Sequence, residues 1–408
     1  MAWYRNSPSL SAPRRVVVTG MGMVSPLGMD VTENTTGLRE GRMAFSPVTL
    51  FDVSRQRVGT AGQVSLPDQG FPPRMDRGTR MAWIAAREAM SHAGLNGGAM
   101  PVIVGTSAAA MPLGEDYYRA ALSGGEKRNK QLERVEFYQA QRQMREMAAL
   151  LEIDGRIRIV SNACASGANA IGQAFHLVRF GRADRVLAGG YDALCQLVFA
   201  GFDSLQALSP SGIPRPFDAH RDGLALGEGA GFVVVESMES AKSRGAAVIA
   251  EITGYGAATD VHHLTQPHPE GDAALVTMQA ACAMAGISPA QIDYINSHGT
   301  GTALNDVAEG NAIRRWAGAD VSSIRVSSTK SAMGHLLGGA GAVESVICLI
   351  AMEAQILPAS LSVREADPVC EFDLVRAPRE AMVKRTLTNS FGFGGANATL
   401  IFEKEDRS

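Results

Sequence analysis

Arg156-Ile157-Arg158-Ile159-Val160-Ser161-Asn162-Ala163-Cys164-Ala165-Ser166-Gly167-Ala168-Asn169-Ala170 is the stretch from which the rest of the chain is read. Residues 156–160 alternate apolar and polar, the pattern of a strand. Residues 165–181 carry small and apolar side chains at helical spacing and end at Gly181, the pattern of a helix. Cys164 therefore stands on a strand-to-helix turn. A helix N-terminus presents unpaired N–H groups and about half a positive charge. Both favour thiolate over thiol, and thiolate is the nucleophile. A free cysteine is ordinarily a small buried hydrophobe, but the small neighbours and the turn point here to a reactive one.

Working outward, two later segments each set a histidine among Gly, Ser and Thr just past a strand. One is Asn296-Ser297-His298-Gly299-Thr300-Gly301-Thr302, after the short strand 292–295. The other is Ser327-Ser328-Thr329-Lys330-Ser331-Ala332-Met333-Gly334-His335, followed by the glycine-rich 338–341. A lone loop histidine is usually a hydrogen-bonded surface residue. Two such loops beside a helix-start cysteine point to chemistry, because loops present side chains to ligands. Lys330 reads either as a surface lysine or as a partly buried cation that fixes its neighbours and tunes His335. Its Thr-Lys-Ser setting, with Glu344 as partner, favours the second.

Strands and helices alternate throughout. Strands are expected at 16–20, 101–105, 157–161 and 185–189, with helices at 80–94 and 165–181. A second series has strands at 250–255, 291–296, 324–328 and 385–390, with helices at 272–286, 303–317 and 339–354. Such alternation implies sheets with helices on their faces. Two series suggest two related halves, although no repeat is visible in the residues. Gly227-Glu228-Gly229-Ala230-Gly231 fits neither a phosphate-loop nor a dinucleotide pattern. Its glycines are expected to let backbones approach closely.

A chain of 408 residues, 46% hydrophobic and 19% charged, is long enough for one large or two ordinary domains and excludes a disordered or fibrous protein. A net charge of −3 gives no general attraction to nucleic acid or anionic membrane. No membrane span is expected, and residues 1–13 have no apolar core of a signal peptide. They are expected to form a loose tail. Five scattered cysteines without metal-ligand spacing suggest free thiols, a reducing compartment and thus the cytoplasm.

With these residues in view, the chain resembles the condensing β-ketoacyl-acyl carrier protein synthases, nearest the elongating type II enzyme, over almost its whole length. Arg15-Val16-Val17-Val18-Thr19-Gly20-Met21-Gly22, Pro214-Arg215-Pro216-Phe217-Asp218 and Asn389-Ser390-Phe391-Gly392-Phe393-Gly394-Gly395-Ala396-Asn397 carry the likeness beside the Cys, His, Lys and His loops. A thiolase would place a second cysteine in the last of these segments, which has none. The resemblance implies an α/β protein of thiolase-like fold: two duplicated α/β halves in a five-layered α-β-α-β-α core, here 14–250 and 251–408. It implies a decarboxylative Claisen condensation, for fatty acid elongation or for a specialised polyketide or polyene. In that reading Cys164 takes the acyl chain, and His298 and His335 bind the malonyl thioester oxygen as CO2 leaves. Lys330 belongs to the same site, and Asp306 and Glu344 orient its groups. Backbone N–H groups of Cys164 and Phe393 form an oxyanion hole, and Phe393 beside Gly394 gates the acyl pocket. Thr300 and Thr302 bond a phosphopantetheine arm, which belongs to the carrier substrate, so no cofactor of the enzyme's own is expected. Ala108, Arg134, Phe202 and Phe391 are expected at the acyl pocket. Ala108 and Arg134 replace a bulkier aliphatic and an aromatic of the relatives, which suits a specialised acyl chain. Lys127, Arg128 and Arg74 are expected to dock an acidic acyl carrier protein. Asn296, Ser297, Glu344, Asn389 and Ser390 match positions where relatives hold a structural monovalent cation; no catalytic metal is implied. The protein is expected to be a homodimer, or a heterodimer with a chain-length partner.

Overall fold

The computed structural model describes residues 13–67, 69–72, 75–123 and 135–405. Ten strands carry the architecture: β1 Val16–Val24, β2 Val102–Gly105, β3 Ile157–Val160, β4 Arg185–Asp192, β5 Gly229–Ser237, β6 Ala250–Thr259, β7 Tyr294–Asn296, β8 Arg325–Ser327, β9 Arg385–Phe391 and β10 Ala396–Glu403. Their spatial order is β3-β2-β4-β5-β1, continuing as β6-β10-β9-β7-β8. Each set of five thus follows one path, third-second-fourth-fifth-first in its own chain order. In both sets the second, third and fourth strands are parallel and the fifth runs antiparallel between the fourth and the first. The duplication that the residues conceal is explicit in the topology. The halves join where Val17 and Val18 of β1 pair with Glu251 and Ala250 of β6.

Five helices cover these strands: α1 Arg77–His92, α2 Ser166–Arg179, α3 Asp272–Ala285, α4 Ala303–Ala317 and α5 Ala340–Ala354. Helix α1 packs on β1 and β5, and α3 on β6 and β10, while α2 and α5 pack on each other and on strands of both halves. The layers are therefore helix, sheet, the α2–α5 pair, sheet, helix: the thiolase-like arrangement. Because helices cover both faces, β1 and β5 are buried along their whole length and valine-rich rather than alternating. The expected positions hold to within a few residues for most elements. Strands β5 and β10 were not anticipated: β5 is a run of small and apolar residues without a period-2 signal, whereas the alternation Ala396-Asn397-Ala398-Thr399-Leu400 in β10 was overlooked.

The expectation about membrane spans needs one amendment. The segment Leu337–Ala354 is long and apolar enough to cross a bilayer, yet 89% of it is buried inside the protein. It is the central core helix, and it carries Glu344 into the interior. Close approach of neighbouring backbones explains the glycines at 227–231. A Cβ on Gly231 would lie 2.7 Å from the Val343 nitrogen, and one on Gly229 would lie 2.5 Å from the Val24 oxygen. These glycines admit neighbouring backbones, as expected.

Candidate active site

Cys164 lies between β3 and α2, just before the first helical turn. The turn is tight. Ala163 has φ 53°, a left-handed conformation that costs an alanine about 1–2 kcal/mol. Ser166 holds it. Its hydroxyl donates to the Ala163 carbonyl at 2.5 Å and accepts the Asn162 N–H at 2.9 Å. Gly392 lies against the other side, where a Cβ would approach the Asn162 oxygen at 3.1 Å and the Cys164 nitrogen at 3.2 Å.

The helix-start position does not leave Cys164 ionised. Burial pushes its thiol up to about 12, and Asp192 and Glu344 push the same way. Lys330 and a hydrogen bond from the Phe393 N–H oppose them. The resting group is a neutral thiol, which corrects the sequence expectation: desolvation outweighs the helix end.

His298, His335 and Cys164 line one cleft of about 350 Å³ together with Thr300, Thr302, Phe391 and Phe393. The two imidazole rings meet edge to face, 5.4 Å between centroids. Burial, and then the nearby Lys330 charge, hold both well below the ordinary histidine range, so both are neutral. Lys330 is 2% exposed. Its ammonium is paired with Glu344 and lies 3.4 Å from His298 Nδ1. An ammonium has only donors, so Nδ1 accepts and the His298 proton sits on Nε2. His335 Nδ1 has no hydrogen-bond partner among the described residues. The backbone of His335 is fixed by its N–H to the Ala225 carbonyl at 2.7 Å and by the Gly227 N–H to its own carbonyl at 3.0 Å.

The remaining expected residues fall into three groups. Phe202 and Phe391 line the cleft. Phe393 stacks on Phe202 at 5.7 Å and is 40% exposed. Gly394, at φ 82°, donates its N–H to the Leu264 carbonyl at 2.7 Å. The Thr300 and Thr302 hydroxyls hydrogen-bond each other at 2.8 Å. Asp306 lies beneath them and accepts the N–H groups of Phe217, Thr300 and Gly301. Ala108 is buried and is not among the residues that line this cleft; its N–H is turned to Asp192. Arg74, Lys127, Arg128 and Arg134 lie outside the described residues.

Two carboxylates escaped the sequence reading. Glu309 accepts the N–H groups of His298 at 2.9 Å and Gly299 at 2.7 Å, and so holds the histidine loop. It stands one helical turn after Asp306, a spacing that could have revealed it. Asp192 ends β4, and strand ends in α/β sheets are where sites assemble.

Residues 13–241 match the Beta-ketoacyl synthase, N-terminal domain, and residues 249–364 match the Beta-ketoacyl synthase, C-terminal domain. The chain is 38% identical to 3-oxoacyl-[acyl-carrier-protein] synthase 2 of Synechocystis sp., covering 96% of this chain and 98% of that protein. It is also 38% identical to Nodulation protein E of Rhizobium meliloti, covering 96% and 99%. Among solved structures, the ishigamide ketosynthase/chain length factor aligns with a TM-score of 0.90 at 35% identity, over 97% of this chain and all of that one. A type II polyketide ketosynthase bound to its acyl-carrier protein, AntDE:AntF, aligns at 0.87 and 30% identity, over 96% of this chain and all of that one. A nucleophile turn, two neutral imidazoles and a buried lysine in one cleft accord with that kinship: the chain belongs to the β-ketoacyl synthase family.

Proposed function

We propose that this enzyme condenses an acyl thioester with malonyl-acyl carrier protein, giving a β-ketoacyl carrier and CO2. The observation that carries this is the meeting of Cys164 with two neutral histidines in one cleft. Cys164 sulfur attacks the acyl thioester, its proton leaves with the carrier thiol, and the acyl chain stays on the enzyme. The acyl oxyanion sits between the backbone N–H groups of Cys164 and Phe393. The malonyl thioester then enters. Its C–CO2 bond breaks, and the electron pair moves to the thioester enolate. Neutral N–H donors from His298 and His335 stabilise that oxygen without a charged group having to be desolvated. The enolate carbon attacks the Cys164 thioester, and the Cys164 sulfur leaves and regains a proton. Lys330 fixes the His298 tautomer, while Glu344 and Asp306 orient their loops. Phe393, between glycines, swings to admit each substrate, and Thr300 and Thr302 meet the amides of the pantetheine arm. That arm is part of the carrier substrate.

His298→Ala and His335→Ala test the assignment. Losing one oxyanion donor typically costs about 10²–10³ in rate. Each variant should lose malonyl decarboxylation by that factor while Cys164 still accepts acyl groups. Parental decarboxylation by both would reject the roles.

Three buried oxygens, Asn296 Oδ1, Glu344 Oε2 and Ser390 Oγ, have no hydrogen-bond partner among the described residues. Hard oxygen donors suit a structural monovalent cation, which would steady Glu344. Ser297 Oγ donates to the Ser327 carbonyl and Asn389 bonds Glu309 and Thr399, which leaves oxygen lone pairs on both for the same ion.

The same reading divides the chain into halves at 250 and 251, and all five cysteines are free, which supports a reducing, cytoplasmic setting. It extends to a second subunit. Helix Met111–Leu122 buries none of its side chains, although Tyr118 and Leu122 are apolar and 63% and 70% exposed. Among the described residues the edge strand β3 pairs with Val102–Gly105 alone, and its other edge is open. A homodimer covers these surfaces. A ketosynthase paired with a chain-length subunit is the alternative, favoured by the likeness to the ishigamide pair. In either assembly this chain is the catalytic subunit, because Cys164 and both histidines are present. Mass spectrometry of products formed from a panel of acyl primers separates fatty acid from polyketide elongation.

The carrier dock is assigned to Lys127, Arg128 and Arg74. Reversing Lys127 and Arg128 to glutamate should weaken carrier binding and flatten its salt dependence, since long-range attraction fades beyond a Debye length of about 10 Å at 0.1 M salt. Titrations at several salt concentrations check this, and an unchanged salt slope would make them plain surface charges.

A further inference from the structure

Asp192 is fully buried at the end of β4, and its carboxylate accepts five hydrogen bonds from two separate turns. Oδ1 accepts the Thr106 hydroxyl at 2.6 Å and the N–H groups of Ala108 at 2.9 Å and Ala109 at 3.0 Å. Oδ2 accepts the Ser107 N–H at 2.9 Å and the Gly338 N–H at 2.6 Å. The first turn leaves β2 at Gly105, whose backbone packs on Ser166 and Gly167 at the start of α2, just after Cys164. The second turn begins at His335 and leads into α5. Each turn holds a non-glycine residue in the left-handed region, Ala109 at φ 48° and Leu337 at φ 52°. Such conformations persist only where surrounding structure imposes them, and Asp192 contacts both turns. Glycine is required at 338 for this: a Cβ there would lie 2.5 Å from the Ser107 nitrogen and 2.8 Å from Asp192 Oδ2.

We propose that Asp192 is a positioning residue that clamps the His335 turn to the turn behind Cys164, and so sets the malonyl donor and the nucleophile in one register. A buried carboxylate satisfied wholly by N–H and O–H donors is a rigid acceptor. The side chains it serves are far apart in sequence, so one group determines the geometry of two half-reactions. Burial raises the Cys164 thiol, and the Asp192 charge acts in the same direction. This inference rests on the roles proposed for Cys164 and His335.

Asp192→Asn separates the two turns. The amide oxygen takes the Oδ1 side, where three donors converge, because the reverse orientation would set its NH2 against all three. The NH2 then faces the N–H groups of Ser107 and Gly338 and releases the His335 turn. Malonyl decarboxylation should fall about 10²-fold, the loss typical of a displacement near 1 Å, while Cys164 acylation stays near parental. Thr106→Val is isosteric and loosens the Oδ1 side alone. It should slow acylation and spare decarboxylation. Folded Asp192→Asn protein that loses both half-reactions equally, or neither, overturns the clamp. So does a Thr106→Val protein whose decarboxylation falls as far as its acylation. His335→Ala measured alongside distinguishes the causes. If it decarboxylates at the parental rate, the role of His335 fails and the clamp with it. If it is impaired while Asp192→Asn is not, the clamp alone fails.

Discussion

Cys164→Ala should take up no acyl group and should lose condensation by about 10⁶-fold, the scale seen when an enzyme nucleophile is removed. Malonyl decarboxylation should survive, because its oxyanion donors are on other loops. The choice among five cysteines cannot rest on acidity. Burial raises the thiols of Cys164, Cys195 and Cys348 to about 12 alike, and that of Cys282 to about 11. Position separates them. Among the described residues Cys164 is the cysteine that lines the cleft, and it is the one with a backbone N–H from Phe393 and the Lys330 charge acting in favour of its thiolate. A bound thioester needs the sulfur as an anion only during attack, when its proton passes to the departing carrier thiol. Intact-protein and peptide mass spectrometry after incubation with an acyl carrier locates the adduct. An acyl group on Cys195, Cys282, Cys348 or Cys370 would reject the assignment.

Much of this site was legible because its parts are local. The strand, turn and helix around Cys164 lie within one stretch, and the histidine loops follow short strands. The alternation of strands and helices conveyed the layers, and Glu344 was named as the partner of Lys330 fourteen residues earlier, a distance that one loop and a helix turn can close. What stayed hidden is long-range. Glu309 and Asp192 act by accepting backbone N–H groups, which every residue carries, so no side-chain pattern marks their partners. The 146-residue separation between Asp192 and Gly338 is closed only by the sheet and the central helices. The acidity of Cys164 was misjudged for a related reason. A helix end is visible in sequence, whereas the burial that outweighs it depends on the packing of α2, α5 and the 391–395 loop.

Lys330→Met is the sharper test of the buried charges. The substitution keeps length and apolar bulk but leaves Glu344 without its ammonium. Breaking one side of a buried ion pair costs about 3–5 kcal/mol, because the other charge stays uncompensated. Even beside Lys330, burial raises Glu344 from 4.5 to about 7. A carboxyl whose folded pKa is raised binds its proton more tightly in the native state. Its contribution is therefore complete below about 4.5, the unfolded value, and is lost as pH rises through the folded value. Without Lys330 that folded value moves higher still, so the variant should lose more stability than the parent between pH 5 and 8. Lys330→Met/Glu344→Gln, which has no charge to bury, should lose this pH dependence and show a slope flatter than the parent's. Activity should not recover in the double variant. His298 Nδ1 has lost the donor that sets its tautomer, and the Cys164 thiol has lost the cation that lowers it, so acylation and decarboxylation both fall, the latter by about 10²–10³. Urea midpoints across that pH range, measured with both half-reaction rates, read these effects separately. If the single variant keeps the parental pH slope, the pair does not carry the electrostatics assigned to it. If the double variant regains both rates, Lys330 serves the fold rather than the chemistry.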